Sequence, residues 1–182
     1  MNKLSSYQTQ IDFGNIIKSI TFIQNPRKII EFGILNGFSL QCFIDSVDTT
    51  CNIEAYDIFD DFIGNSAPND IYDKFQQPNV KISYGDFYKK YQDFEDKSID
   101  ILHVDIANNG NVLEFVLNNY MSKLSKNGII LFEGGSINRD NIKWMVEYEK
   151  PKIRPIIELF KDNFDFHIIE EFPSLTIIKK KY

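Results

Sequence analysis

The sequence has few of the residues that mark secreted, metal-binding or membrane proteins. Its 182 residues include two cysteines, Cys42 and Cys51, whose spacing matches no metal site. The first ten residues, MNKLSSYQTQ, lack the apolar core of a signal peptide. No apolar run approaches the roughly 20 residues that a membrane span requires. We therefore expect a cytoplasmic protein in a reducing environment, with no part in the membrane.

Positive charge is scarce in the middle of the chain. Residues 45–105 hold 14 Asp or Glu residues against 5 Lys residues, a local balance of −9 in a chain of net charge −6. Such a region repels nucleic acid and anionic lipid. The one cationic cluster, Lys179–Lys181, is typical of a solvated chain end. The sequence thus predicts neither a nucleic-acid partner nor a membrane partner.

The rest of the composition is that of a globular domain. Hydrophobic residues make up 43% and charged residues 25%, and 16 Phe and 9 Tyr provide large side chains for a core. The length fits one domain, and the chain shows no internal repeat or low-complexity linker. We predict a single domain over residues 1–182, with an N-terminal helix within residues 1–25 and the core in residues 26–182.

Periodicity predicts alternating helices and strands. Ile11, Ile16, Ile17 and Ile20 form one stripe of a helix near residues 10–23. Nearly continuous apolar runs then alternate with helical stretches, which indicates a parallel sheet covered on both faces. The last two runs, FDFHII and LTIIKKK, are joined by a few residues around 171–174, so they must form a hairpin. The predicted fold is α/β, Rossmann-like and doubly wound, with a mostly parallel seven-stranded sheet and an antiparallel last strand.

The first predicted strand runs into EFGILNGFS, which places Gly33 and Gly37 between a strand and a helix. Ligands of open α/β sheets bind at the carboxyl ends of the strands. Glycine lets the backbone approach a ligand, and the helix N-terminus offers free N–H groups. Alternatively, the glycines only permit a tight turn. Under the first interpretation, Gly33→Val should abolish cofactor binding and leave the fold intact, because only the ligand would need the missing Cβ.

Two carboxylates end the next strands. Asp57 could accept both ribose hydroxyls of a nucleoside, with Ile58 and Phe59 beside the base. Asp86 could meet an adenine amino group. Either residue is alternatively a solvated or capping aspartate, but their positions at successive strand ends favour a nucleoside site.

The residue in front of the glycines discriminates between two cofactors. Dinucleotide sites typically have G-x-G-x-x-G, with the pyrophosphate on the helix N-terminus. This loop is E-x-G-x-x-x-G, and Glu31 would repel a pyrophosphate but suits an ammonium group, directly or through water. S-adenosylmethionine has an ammonium group, a sulfonium cation and no phosphate. An NAD-dependent oxidoreductase and a non-catalytic S-adenosylmethionine-binding protein remain as alternatives.

From about Arg27 to Lys180, the chain resembles the class I S-adenosylmethionine-dependent methyltransferases. EFGILNGFS is similar to the first motif of the catechol-type and macrolide-sugar O-methyltransferases, and YDIF and GDF occupy the places of their ribose and adenine motifs. The resemblance implies methyl transfer to a small molecule, at a hydroxyl of a sugar or related metabolite. It implies that the cofactor is bound by Glu31, Gly33, Gly37, Phe38, Ser39, Asp57, Ile58, Asp86, Phe87 and Asp105.

The ends of the fourth and fifth predicted strands carry the candidate catalytic residues His103, Asp105 and Glu133. His103 and Asp105 alternate along one strand and share a face, so a base at His103 could take the proton of the acceptor. Alternatively, His103 is a structural histidine. Short loops, residues 58–79, 106–111 and 134–141, would hold the acceptor.

Metal-dependent relatives place three ligands at the same two strand ends. Asp105 and Glu133 match the first two, but Gly134 falls where the third would be. We therefore expect no bound Mg²⁺ or Mn²⁺. If one of these ions does bind, Asp105 and Glu133 are the expected ligands. Homo-oligomerisation stays open, because the aromatic residues Phe13, Phe22 and Trp144 could serve a dimer contact or the core.

Overall fold

The structure is a computed structural model that describes residues 12–59 and 66–181, so Ile11 and the acidic loop residues Asp60 and Asp61 lie outside the described residues. Seven strands form one sheet in the order β3-β2-β1-β4-β5-β7-β6. The strands are β1 (Lys28–Phe32), β2 (Asn52–Asp57), β3 (Val80–Tyr84), β4 (Ile99–Val104), β5 (Leu124–Glu133), β6 (Phe164–Ile169) and β7 (Leu175–Lys180). The helices are α1 (Phe13–Gln24), α2 (Phe38–Ile44), α3 (Pro68–Lys74), α4 (Phe87–Lys90), α5 (Gly110–Asn119), α6 (Lys143–Glu147) and α7 (Ile153–Phe160).

The sheet topology confirms the predicted fold. β1 to β5 pair in parallel, whereas β7 runs antiparallel between β5 and β6. The connection between β6 and β7 is a few residues long, too short for a crossover. β7 is therefore the single reversed strand among the seven.

Alternation along the strands builds a core on each face of the sheet. In β1, Ile30 and Phe32 face a cluster that contains Tyr120 and helix α5. Ile29 faces the opposite cluster, which includes Phe43 of α2. Every residue of β1 after Lys28 is buried, as expected for a central parallel strand.

Helix α1 covers the second of these clusters. The side chain of Asp12 accepts a hydrogen bond from the backbone N–H of Asn15 at 3.2 Å and caps its first turn. Phe13 is fully buried, so it belongs to the core, whereas Phe22 is 75% exposed. Among the described residues, no helix is long and apolar enough to span a membrane.

One segment differs from the sequence-based prediction. Helix α3 lies within residues 58–79, which we predicted to be loop. Strand β5 begins at Leu124, which pairs with Ile99 before a register shift. After β5, a 3-10 turn, Arg139–Asn141, is followed by the short α6.

Candidate active site

The carboxyl ends of five adjacent parallel strands, β1 to β5, meet at one edge of the sheet. The N–H of Gly33 donates to the carbonyl of Tyr56 at 3.0 Å, and the N–H of Asp105 donates to the carbonyl of Phe32 at 2.9 Å. The loops that follow β1, β2 and β4 therefore begin at the same level. Strands β2 and β3 lie on one side of β1, whereas β4 and β5 lie on the other, so the direction in which strands are added changes between β1 and β4. Open α/β sheets bind ligands at this switch point.

Gly33 and Gly37 are required by the packing of the protein itself. Gly33 has φ +90°, and a Cβ there would overlap the carbonyl oxygen of Asp105. Gly37 has φ +76°, and a Cβ there would overlap the ring of Phe75. The expectation that only a ligand needs the missing Cβ at Gly33 is therefore wrong, because a β-carbon collides with the neighbouring strand end.

Gly33→Ala is expected to destabilise the folded protein by more than about 1 kcal/mol, since alanine is strained at positive φ and the carbonyl of Asp105 must move. Urea unfolding followed by circular dichroism measures this loss. An unchanged unfolding midpoint together with lost cofactor binding would instead support a close approach by the ligand alone.

Asp57 connects the two loops that flank this edge. Its Oδ2 accepts from the N–H of Ile34 at 2.8 Å, and its Oδ1 accepts from the N–H of Phe59 at 2.8 Å. A carboxylate has about four acceptor sites, so each oxygen can accept a further hydrogen bond. Asp57 is half-buried, and the neighbouring Ile58 is 46% exposed. Both residues can therefore touch a molecule bound at the edge.

The third strand end has one surface residue and one core residue. Asp86 caps α4, accepting from the N–H of Tyr88 at 2.9 Å, and pairs with Lys89 at 3.2 Å. Phe87 is 4% exposed, and its ring stacks on Tyr120 with centroids 5.2 Å apart. Contrary to the prediction from the resemblance, the ring of Phe87 has no free face for an adenine.

Glu31 forms a buried cluster with Ser39 and His103 beneath the glycine loop. Its Oε1 accepts from Ser39 Oγ at 2.5 Å and lies 3.0 Å from His103 Nδ1. Glu31 and His103 are register partners on β1 and β4, so their side chains point to the same face. Glu31 has no exposed surface, so a direct ion pair with a cofactor ammonium is excluded in this conformation. The cluster supports the loop from below.

His103 lies in the core and does not reach the edge. The residue is 0% exposed, and its ring meets Phe43 edge-on at 5.5 Å. A base must come within hydrogen-bond reach of the proton it takes, and this ring, enclosed in the core beneath the sheet edge, does not touch an acceptor in this conformation. The geometry corrects the predicted catalytic role of His103 and favours the structural alternative.

Glu133 ends β5 and is held by an arginine that the sequence-based argument did not place there. Arg139 Nε donates to Glu133 Oε1 at 2.6 Å, and Arg139 Nη2 donates to Glu133 Oε2 at 2.9 Å. Glu133 is 3% exposed and Arg139 is 5% exposed. Burial is the largest effect and raises the pKa of Glu133, and the charge of Asp105 raises it further. The hydrogen bonds from Arg139 lower this pKa but do not cancel the rise. A buried carboxylate requires a cationic partner. The position of Glu133 at the end of a buried strand therefore indicated, in the sequence, that a nearby residue such as Arg139 should pair with it.

Asp105 is the half-buried carboxylate between the glycine loop and this ion pair. Burial lowers the pKa of Arg139, but Glu133 and then Asp105 raise it above the ordinary value. The charge of Asp105 thus acts on both members of the pair. Among the three predicted catalytic residues, Asp105 is the one that is not buried.

The residues at these strand ends do not fit a divalent cation. Both oxygens of Glu133 accept from Arg139, and Gly134 offers no side-chain ligand. The amide nitrogen of Asn108 donates to the carbonyls of Val104 and Glu133, and its oxygen accepts from Ile106 N–H. Within residues 12–59 and 66–181, no group of three His, Cys, Asp or Glu side chains is placed to hold a metal. Asp105 and Glu133, named above as the ligands if a metal binds, are therefore not arranged as a ligand pair in this structure.

A family model described as a methyltransferase domain matches residues 30–133, more than half of the chain. The chain therefore belongs to this methyltransferase family, which removes the NAD-dependent oxidoreductase alternative. A relative from Sinorhizobium fredii, the uncharacterized protein y4gI, is 29% identical. The match covers 71% of this chain but 16% of that protein, so the chain spans a small part of the length of its curated relative.

Solved structures share the fold at low sequence identity. The SAH-bound methyltransferase PaMTH1 of Podospora anserina has a TM-score of 0.71 and 19% identity, over 96% of this chain and 80% of that one. An O-methyltransferase of Bacillus cereus in complex with SAH has a TM-score of 0.69 and 15% identity, over 98% and 84%. TomG of Streptomyces achromogenes, an O-methyltransferase in complex with SAM, has a TM-score of 0.71 and 12% identity, over 100% and 82%. The fold of this chain is thus that of known methyltransferases.

Proposed function

We propose that this chain is an S-adenosylmethionine-dependent methyltransferase that transfers a methyl group to an oxygen atom of a small molecule. The observation that carries the proposal is Asp57, a half-buried carboxylate bonded to the glycine loop at the switch point of a methyltransferase fold. The cofactors named for the similar structures support the choice of S-adenosylmethionine. The resemblance to sugar O-methyltransferases supports a hydroxylated metabolite as acceptor.

The residues at the edge fit an adenosyl cofactor. Asp57 would accept the ribose hydroxyls while keeping its two backbone bonds, and the exposed Ile58 would cover one face of the base. Asp86, whose side chain is 31% exposed, would meet the adenine edge. The loop from Gly33 to Phe38 would bind the amino-acid end, supported from below by Glu31 and Ser39.

The bound cofactor would supply a methyl group on a sulfonium, and this chain must orient the acceptor oxygen and receive its proton. Of the three predicted catalytic residues, Asp105 would receive the proton, because it is half-buried at the edge whereas His103 and Glu133 are buried. Asp105 also lies beside the glycine loop, since its carbonyl oxygen packs against Gly33. No step in this scheme uses a metal ion.

Asp57→Asn is expected to weaken the binding of S-adenosylhomocysteine by about 1.5–3 kcal/mol, because hydrogen bonds to an ionised carboxylate are lost. Isothermal titration calorimetry of the full chain measures the change. Unchanged affinity would contradict the proposed ribose contact.

Asp100 offers a matched control at the opposite edge of the sheet. It also accepts two backbone N–H bonds, from Arg27 at 2.8 Å and Lys28 at 3.1 Å. Asp100→Asn should therefore lose a comparable amount of stability while it keeps the affinity for S-adenosylhomocysteine. Equal weakening by both variants would mean that the effect of Asp57 is on folding alone.

A further inference from the structure

The guanidinium of Arg139 has donors that the described part of the protein does not use. Nε and Nη2 donate to Glu133, and Nη2 also donates to the carbonyl of Asn108 at 3.3 Å. Nη1 is buried and has no hydrogen-bond partner among the described residues. Arginine stays protonated in proteins, so the two N–H groups of Nη1 remain donors.

Burying charged N–H groups without an acceptor is costly, and native proteins seldom do so. We propose that the substrate supplies the missing hydrogen-bond acceptor: Arg139 binds it through Nη1, and the bound molecule presents an anionic oxygen, either a carboxylate or a hydroxyl whose proton has passed to Asp105. This inference rests on the proposed function and narrows its substrate class to a hydroxylated acid or an acidic hydroxyl compound.

The position of Arg139 supports this assignment. Its guanidinium bonds to the strand end of β5 at Glu133 and to Asn108, three residues after Asp105 in the loop after β4. The charge of Asp105 also acts on Arg139, so the guanidinium lies near the carboxylate that we assign to the proton of the acceptor. A molecule bound to this guanidinium would lie close to Asp105, as a methyl acceptor must.

The backbone around Arg139 fixes the guanidinium in place. The N–H of Arg139 donates to Ser136 Oγ at 3.1 Å, and the N–H of Ser136 donates to Ser174 Oγ at 3.2 Å. Ser136 and Ser174 are themselves buried. These backbone bonds and the two bonds to Glu133 orient the guanidinium before any ligand arrives. This orientation lowers the entropic cost of binding a ligand.

The charge of Arg139 explains why an anionic oxygen fits better than a neutral one. Charge-assisted bonds from a guanidinium to an oxyanion are roughly twice as strong as bonds between neutral groups. The guanidinium is a cation held at the end of β5, so it can stabilise a negative acceptor oxygen without a metal. The acceptor then needs a carboxylate or an acidic hydroxyl that gives up its proton easily.

Trp144 gives this site a spectroscopic reporter. Its ring lies over the guanidinium of Arg139, 5.5 Å from the ring centroid, and it is the one tryptophan of the chain. Trp144 is half-buried, and an acceptor reaches Nη1 only if neighbouring side chains such as this indole shift. Intrinsic fluorescence should therefore change when an anion occupies the site.

In the test, benzoate or its neutral isostere benzamide is titrated into the full chain, which is kept saturated with S-adenosylhomocysteine. Trp144 fluorescence is followed at constant ionic strength. A parallel titration with 4-nitrophenolate, followed by its own absorbance, distinguishes an ionised hydroxyl from a carboxylate. We expect at least one of the two anions to bind saturably and at least about tenfold more tightly than benzamide. EDTA should leave this binding unchanged.

Arg139→Lys keeps a cation for Glu133 but removes the guanidinium fork, so it should weaken anion binding at least about tenfold. Arg154→Lys is the matched control, because Arg154 pairs with the exposed Glu170 at 2.7 Å, and it should bind the anion as the wild type does. Anions that bind no better than benzamide would overturn the proposal, as would unchanged anion binding in Arg139→Lys. If Arg139→Lys does not fold, the comparison of anion with benzamide in the wild type decides. If the wild-type protein does not bind S-adenosylhomocysteine at all, that result would instead contradict the proposed function.

Discussion

Glu133→Ala is expected to lower the free energy of unfolding by about 3–5 kcal/mol, because it leaves the guanidinium of Arg139 buried without its carboxylate. The two hydrogen bonds, at 2.6 and 2.9 Å, are lost together. Neither side chain is more than 6% exposed, so water cannot replace the carboxylate without rearrangement. Urea unfolding at pH 8 measures the loss.

The double variant Glu133→Leu with Arg139→Met separates pairing from packing. Replacing both members of a buried ion pair by apolar residues of similar volume is often neutral or stabilising. We therefore expect the double variant to recover most of the stability that Glu133→Ala loses. Glu170→Ala, which removes an exposed partner of Arg154, is the control and should change stability little. A loss below about 1 kcal/mol in Glu133→Ala would mean that the pair is not formed in solution.

His103→Ala is expected to destabilise the protein by about 3–5 kcal/mol, because it opens a cavity in the core and removes a partner of a buried carboxylate. His103 and Glu31 are both 0% exposed, and His103 Nδ1 lies 3.0 Å from Glu31 Oε1. The ring also packs against Phe43. The main effect should thus fall on folding rather than on the chemical step.

Unfolding curves and the methyl-transfer rate per folded molecule should be measured on the same preparation. The chain has one other histidine, His167, which is exposed on β6. His167→Ala is therefore the control and should change stability by no more than about 0.5 kcal/mol. A wild-type unfolding midpoint in His103→Ala, with a rate about 100-fold lower, would restore the general-base role that the sequence alone suggested.

The sequence was sufficient for the order of elements and for the strand ends that carry polar residues. Alternation of apolar runs and helical stretches is a local pattern, and the short link between β6 and β7 allows only a hairpin. Ligand sites of such sheets lie at the carboxyl ends of the strands, so Asp57, Asp86 and Asp105 could be chosen from position alone. Family membership and topology confirm the fold on which that choice depended.

The roles of individual side chains at that edge required the tertiary structure. Glu31 and His103 are 72 positions apart, and only the register of β1 against β4 places them side by side in the core. The need for Gly33 likewise comes from the carbonyl of Asp105 on the neighbouring strand. Sequence patterns predict on which face of a strand a side chain lies. They do not predict which atoms of distant segments contact that side chain.

The sequence by itself determined that this chain is a doubly wound α/β protein, and it predicted a ligand site at the carboxyl ends of the strands, because periodicity and strand-end position depend on near neighbours in the chain. Only the tertiary structure decided that Glu133 is paired with Arg139 and is thereby withdrawn from metal binding. The two residues are six positions apart, across a turn whose Gly134 and Gly135 both have φ near +110°. That turn directs the guanidinium back onto the strand end, and a backbone path of this kind is fixed by packing against β7 and α7 rather than by local propensity.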